Sequence, residues 1–228
     1  MENKNDFVYK GADAGRKELF SMLIYRPIAK ALIFAFFKNS KITPNQISFI
    51  SLVITLIGCF FFAFFRYPFM ILGVLFLHIG YVFDMLDGTY ARYKGLSSKF
   101  GRWFDPFLDT IKAAGLFISI SYAAYIDSGN PTVLLWGMLA LVNSLITYYI
   151  MNTKSEIVKD ATFEVSFGND IYIGYEISLY LALSVIVLFN ILYPGLIFMA
   201  TVGALSWIKV FITARRYYVK NMDKIEQG

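Results

Sequence analysis

The sequence predicts an all-α integral membrane protein with six transmembrane helices and an N-terminal interfacial amphipathic helix, and three observations carry that reading. Of the 228 residues, 57% are hydrophobic and only 16% charged, an apolar excess that soluble domains of this length do not show. Apolar runs recur at about the 20-residue length that crosses a hydrocarbon core. The Lys and Arg residues cluster in alternate connections between those runs, as the positive-inside rule requires of a polytopic chain. The same composition excludes a disordered chain, the single Cys59 excludes a disulfide scaffold, and no sustained charged heptads support a coiled coil. The net charge of +5 would suggest nucleic acid as a partner of a soluble protein. Here its distribution points to a bilayer instead, and no nucleic acid is expected.

The six runs fall at residues 46–65, 68–86, 105–126, 131–151, 174–193 and 195–214. Eight Lys or Arg precede residue 45, four lie in 89–104, two in 152–173 and four from 215 onward, whereas the opposite turns hold only Arg66. Both termini and the second and fourth connections are therefore expected in the cytoplasm of a cell-membrane protein. Tyr67-Pro68, Gly129-Asn130-Pro131 and Tyr193-Pro194-Gly195 read as tight turns on the far side. Residues 1–44 form a cytosolic or interfacial segment and 45–228 the six-helix membrane domain with a cytosolic tail. Charges break the first forty residues throughout, so no cleavable signal peptide is read there. Within that segment Pro27 suits a first helical turn, Arg26 and Lys30 share a face, and Ile33, Phe34 and Phe37 suit the lipid boundary. A plain cytosolic helix packed on the bundle satisfies the same pattern.

Chemistry concentrates at the cytosolic ends of the second and third runs. Asp84 and Asp87 are spaced i, i+3, and Asp105 and Asp109 i, i+4, so each pair leaves one helix face and the connection lets the faces meet. Carboxylates in an apolar segment are costly and usually functional. Four that converge away from water repel one another unless cations offset them. An all-oxygen set favours Mg²⁺ or Mn²⁺ over Zn²⁺, and four carboxylates suffice to hold two ions. Paired hard cations suit phosphoryl chemistry, where they clamp attacking and leaving oxygens. Arg92, on the same connection, offers a planar fork to phosphate, and Gly88 and Gly101 allow close approach of a diphosphate or a facing backbone.

The string Asp84-x2-Asp87-Gly88-x2-Ala91-Arg92-x8-Gly101-x3-Asp105-x3-Asp109 resembles, at every fixed position and gap, the signature of the CDP-alcohol phosphotransferases. These are six-helix membrane enzymes of phospholipid biosynthesis that transfer the substituted phosphate of a CDP-alcohol to a second alcohol and release CMP, with Mg²⁺ or Mn²⁺. The motif spans 26 residues, and the helix layout extends the resemblance over most of the chain. The resemblance implies that Asp84, Asp87, Asp105 and Asp109 hold two metals, that Asp109 is also the proton acceptor, and that Gly88, Arg92 and Ser98 contact the CDP group. Thr43-Pro44-Asn45-Gln46-Ile47-Ser48 is similar to the family's Thr-Pro-Asn-x-x-Thr entry to the first helix, with Ser48 replacing the final Thr. Asn45 and Ser48 are thereby implied as further CDP contacts, and Thr43 and Pro44 suit a helix start in any case. Family members are often homodimers.

The acceptor side is less specified. Lys112, i+3 from Asp109, either pairs with that acid or orients the acceptor. Arg215 and Arg216 suit an acceptor phosphate or plain anchoring at the membrane face, and Lys154 and Lys159 are weaker candidates. Glu176 and Lys209 read as a structural ion pair between antiparallel helices. His78 reads as a hydrogen-bonded bundle residue without a catalytic role. The expected reaction joins CDP-diacylglycerol, or an ether-lipid analogue, to a polar alcohol such as inositol phosphate or glycerol phosphate. An ethanolamine- or choline-type transferase with a lipid acceptor, and a divalent-cation transporter, are the alternatives.

Overall fold

The computed structural model describes residues 17–153, 165–167 and 171–225. A short strand, β1 (Lys17–Glu18), leads into a helical segment in which π-helical turns at Ser21–Tyr25 and Ile33–Phe37 flank α1 (Arg26–Leu32). There follow α2 (Pro44–Ala63), α3 (Tyr67–Lys94), α4 (Lys99–Ser128), α5 (Thr132–Thr153), β2 (Val165–Phe167), β3 (Ile171–Ile173), α6 (Tyr175–Leu188) and α7 (Leu192–Ile225). Five of these helices are long and apolar enough to cross a membrane: Pro44–Ala63, Tyr67–Lys94, Lys99–Ser128, Thr132–Ile150 and Leu192–Val219. The expected fifth run, 174–193, yields instead the 14-residue α6. At 1.5 Å per residue it is about 21 Å long, short of a hydrocarbon core of about 30 Å.

Caps explain the helix limits. Thr43 and Gln46 form a reciprocal capping box, Gln46 Oε1 accepting from Thr43 N at 2.8 Å, with Pro44 in the first turn of α2. No proline lies between Leu86 and Lys94, so α3 runs on to Lys94, where left-handed Gly95 (φ 67°) and the bond from Leu96 N to Ala91 O (2.8 Å) close it. The Ser98 side chain then caps α4, accepting from Gly101 N at 2.9 Å. Both helices thus extend past the limits of 86 and 105 that hydropathy sets, and the whole aspartate motif except its connection is helical. Two of the expected turns also shift. Tyr67-Pro68 and Tyr193-Pro194-Gly195 lie inside the first turns of α3 and α7, because proline fits where a helix N–H has no partner.

α2 packs along α3 and α4, and α5 joins α4 to α7. The α2–α3 crossing is a contact of backbones, since a Cβ on Gly58 would stand 2.9 Å from the Gly73 carbonyl oxygen. Ser51 Oγ donates across it to Gly80 O at 2.9 Å. The N-terminal helix lies against α3 and buries Ala29 and Ile33 with Ile47, Leu86 and Tyr90. Ile33 therefore faces the bundle rather than the lipid boundary expected of it, while Leu23 (67% exposed) and Phe36 (72%) form the outer apolar face.

The three short strands were not foreseen in the sequence. β3 is central, parallel to β1 and antiparallel to β2. Glu18 fixes this corner: its carboxylate accepts from Ser21 N (2.5 Å), Phe20 N (3.4 Å) and Gly174 N (3.4 Å), so one side chain caps the starts of two helical segments. His78 ties three elements, contacting Tyr25 Oη at 2.7 Å and Ser184 Oγ at 2.8 Å. Burial, aided by the nearby Glu18 carboxylate, raises the Tyr25 phenol to about 12, so it stays a hydroxyl at neutral pH.

Candidate active site

The start of α2, the end of α3 and the start of α4 enclose a cavity of about 150 Å³. Asn45 and Ser48 line it from α2, Asp87, Gly88 and Arg92 from α3, and Ser98, Gly101 and Asp105 from the start of α4. All five residues implied in CDP contact by two separate stretches of sequence therefore meet in one place, beside two of the four aspartates. Ser48, 3% exposed, donates to Asp105 Oδ1 at 3.1 Å and so joins α2 to the acidic motif. Gly101 is needed for this approach, because a Cβ there would lie 3.2 Å from Asn45 Oδ1 and 3.3 Å from Ser98 Oγ. Arg102 also lines the cavity; lying next to Gly101 in the same connection, it was available to sequence reasoning but not singled out.

The antiparallel run of α3 and α4 divides the aspartates into two layers. Asp87 and Asp105 face the cavity, and Asp84 and Asp109 lie about a turn deeper with Lys112. Lys112 is 3% exposed and donates to Asp109 Oδ1 at 3.0 Å and to Asp84 Oδ1. Of the two roles open to it in the sequence, pairing is the one its position displays. Glu176, at the start of α6, joins this layer: oxygens of Asp84, Asp109 and Glu176 lie within 4.8 Å of one another, and Tyr180 Oη donates to Glu176 Oε1 at 3.1 Å. The expected Glu176–Lys209 ion pair is thus replaced, and Lys209 instead lines a separate cavity with Asn143 and Ser178. Sequence separation hid this, since no motif links Glu176 to residues some seventy positions earlier. Arg215 and Arg216 are exposed on α7 and do not line the α2–α4 cavity. Lys154 and Lys159 lie outside the described residues.

Asp87 tests whether a cation fits these residues. It is 5% exposed, and its Oδ2 is buried with no hydrogen-bond partner among the described residues. A buried carboxylate oxygen without a donor is costly unless a cation occupies that side. With the hard oxygen donors of Asp105 and Ser48 lining the same cavity, the site suits a divalent ion of the Mg²⁺ or Mn²⁺ kind.

Fold and site define a helical membrane protein with a polar pocket, lined by carboxylates and arginines, at one end of the bundle. Residues 41–215 match the model of the CDP-alcohol phosphatidyltransferase family, so the chain belongs to that family of transferases. It is 32% identical over 139 residues to a phosphatidylinositol phosphate synthase of Corynebacterium glutamicum, covering 60% of this chain and 58% of that protein. It is 35% identical over 80 residues to an archaetidylinositol phosphate synthase of Pyrococcus horikoshii, covering 35% of this chain and 41% of that one. The chain thus spans about half the length of the curated relatives it matches. Among solved structures it resembles the Mycobacterium tuberculosis phosphatidylinositol phosphate synthase with CDP-DAG bound, with a TM-score of 0.63 and 19% identity over 84% of this chain and 93% of that one. The same synthase in complex with manganese and citrate gives a TM-score of 0.59 at 20% identity.

Proposed function

We propose that this protein transfers the phosphatidyl group of CDP-diacylglycerol, or of its ether-lipid analogue, to inositol phosphate and releases CMP. The observation that carries this reading is the shared cavity, in which Asn45, Ser48, Gly88, Arg92 and Ser98 line one space with Asp87 and Asp105. The inositol phosphate acceptor is favoured over ethanolamine- or choline-type transfer by the relatives named as inositol phosphate synthases. The gathering of these carboxylates towards one end of the bundle also speaks against a cation pathway, which needs donors through the span.

Asp84, Asp87, Asp105 and Asp109 would hold two Mg²⁺ or Mn²⁺ ions, which when bound supply charge neutralisation to the diphosphate and the leaving group. Arg92, with the backbone at Gly88 and Gly101, holds the diphosphate, and Asn45 and Ser98 orient the nucleotide. Asp109 takes the proton of the acceptor hydroxyl. The acceptor oxygen then bonds to the lipid-bearing phosphorus, whose bond to the bridging oxygen breaks, and that oxygen leaves with CMP. Exposed Arg215 and Arg216 serve the acceptor's own phosphate. The active site and both termini face the cytoplasm, and residues 45–228 act as one six-helix membrane domain, with two copies as a homodimer.

CMP release from CDP-diacylglycerol by protein in nanodiscs tests the reading, with inositol phosphate, glycerol phosphate and ethanolamine as acceptors. Release should require both inositol phosphate and a divalent cation, and should stop in excess EDTA. Equal release with every acceptor, or full turnover in EDTA, would overturn it.

A further inference from the structure

The transfer reading uses four aspartates and leaves two members of the deeper layer without a part. Lys112 places a buried ammonium against one oxygen of Asp84 and one of Asp109. Glu176 brings a third carboxylate from a third helix to within 4.8 Å of those acids. Tyr180 Oη donates to its Oε1 at 3.1 Å. A fixed ammonium beside a metal site works against metal binding, because like charges a few ångströms apart in a low dielectric repel strongly. Four aspartates carry the charge that two divalent cations balance, so Lys112 leaves one positive charge over.

We propose that Glu176 is a positioning residue that cancels the charge of Lys112, so that Lys112 can hold Asp84 and Asp109 by one oxygen each while the second oxygen of each stays open to metal. The inference rests on the metal-dependent transfer proposed above. Its geometry explains why a glutamate stands on α6 at this depth, where the aspartate motif on α3 and α4 does not require one. Glu176 is held by elements apart from that motif, since Gly174 precedes α6 and donates its N–H to Glu18 at 3.4 Å. The acid thus reaches the site from the corner where the N-terminal strand pairs with β3.

Mn²⁺ titration of the full chain in nanodiscs, by calorimetry alongside CMP release, tests the pairing. Glu176→Gln should weaken Mn²⁺ binding at least tenfold, because the ammonium is then uncompensated. Glu176→Gln combined with Lys112→Met, which removes both charges, should return the affinity to within threefold of wild type. Glu176→Asp keeps the charge and should do the same, which protects the test should the glutamine variant melt early. Wild-type affinity in Glu176→Gln would overturn the proposal. So would a double variant as weak as the single one, which would make Glu176 a direct metal ligand. A wild-type protein that neither binds Mn²⁺ nor releases CMP would overturn the transfer reading itself, whereas one that does both beside an unaffected Glu176→Gln would overturn only the pairing.

Discussion

Asp87 and Asp109 are the same side chain with different partners, and that difference sets what each can do. Asp87 is 5% exposed, faces the cavity and has an oxygen without a hydrogen-bond partner among the described residues, which suits a metal ligand. Asp109 lies a turn deeper, with Oδ1 fixed by Lys112 at 3.0 Å, so on the proposed mechanism its other oxygen, the one open to the metal site, also takes the proton of an entering hydroxyl. Asp109→Asn keeps the shape and removes the basicity. It should lower transfer by at least about a hundredfold, the usual scale for loss of a general base, while metal-dependent binding of CDP-diacylglycerol persists. Asp84→Asn and Asp87→Asn should lose both, and equilibrium binding of the CDP-lipid beside CMP release separates the outcomes. Arg92→Lys keeps a charge at the cavity wall and loses the planar fork, so the donor KM should rise roughly tenfold with a smaller change in kcat. An unchanged donor KM would assign Arg92 to anchoring at the membrane face.

Between helices, small residues decide how closely the site can close. The α2–α3 crossing needs Gly58, since a Cβ there would meet a carbonyl oxygen of the facing backbone at 2.9 Å and the Phe76 Cβ at 3.2 Å. Neither neighbour is the loose end of a flexible chain, so Gly58→Ala should part the helices and cost about 1–3 kcal/mol, read as a lower melting temperature in detergent. Much of this level was legible beforehand. The helix start at Thr43 and Pro44 and the two-faced aspartate spacing both rest on local rules that the chain obeys. The length of α3 beyond Leu86 was not, because hydropathy and the helix propensity of Asp87-Gly88-Thr89 both fall where the motif begins, while packing carries the helix on to its cap at Gly95. The strands near residue 170 and the approach of Glu176 to Asp84 depend on contacts between distant segments, which no local pattern encodes. Ile33 misled for a related reason: an apolar residue on a boundary helix suits lipid and bundle equally, and only packing against Leu86 and Tyr90 decides.

For the whole molecule, charge asymmetry and the acidic site make one linked claim about orientation. The connection that carries Arg92, Lys94, Lys99 and Arg102 also closes the cavity, so the segment that fixes topology is the one that would hold the diphosphate. Turning the protein over would carry this cluster of positive charge across the bilayer and set the pocket away from a water-soluble cytosolic nucleotide product. The turn at Gly129 and Asn130, at the end of α4 away from the cavity, contains no Lys or Arg, and both residues are open to solvent or only partly covered. Cys59, the only cysteine, is buried at 6% exposure, so a thiol introduced elsewhere can be read against a quiet background. In intact cells a membrane-impermeant maleimide should label Asn130→Cys and spare Ser97→Cys, and permeabilisation should expose the second. Labelling of Ser97→Cys before permeabilisation would place the cavity outside the cytoplasm and, with it, require CMP release on the far face.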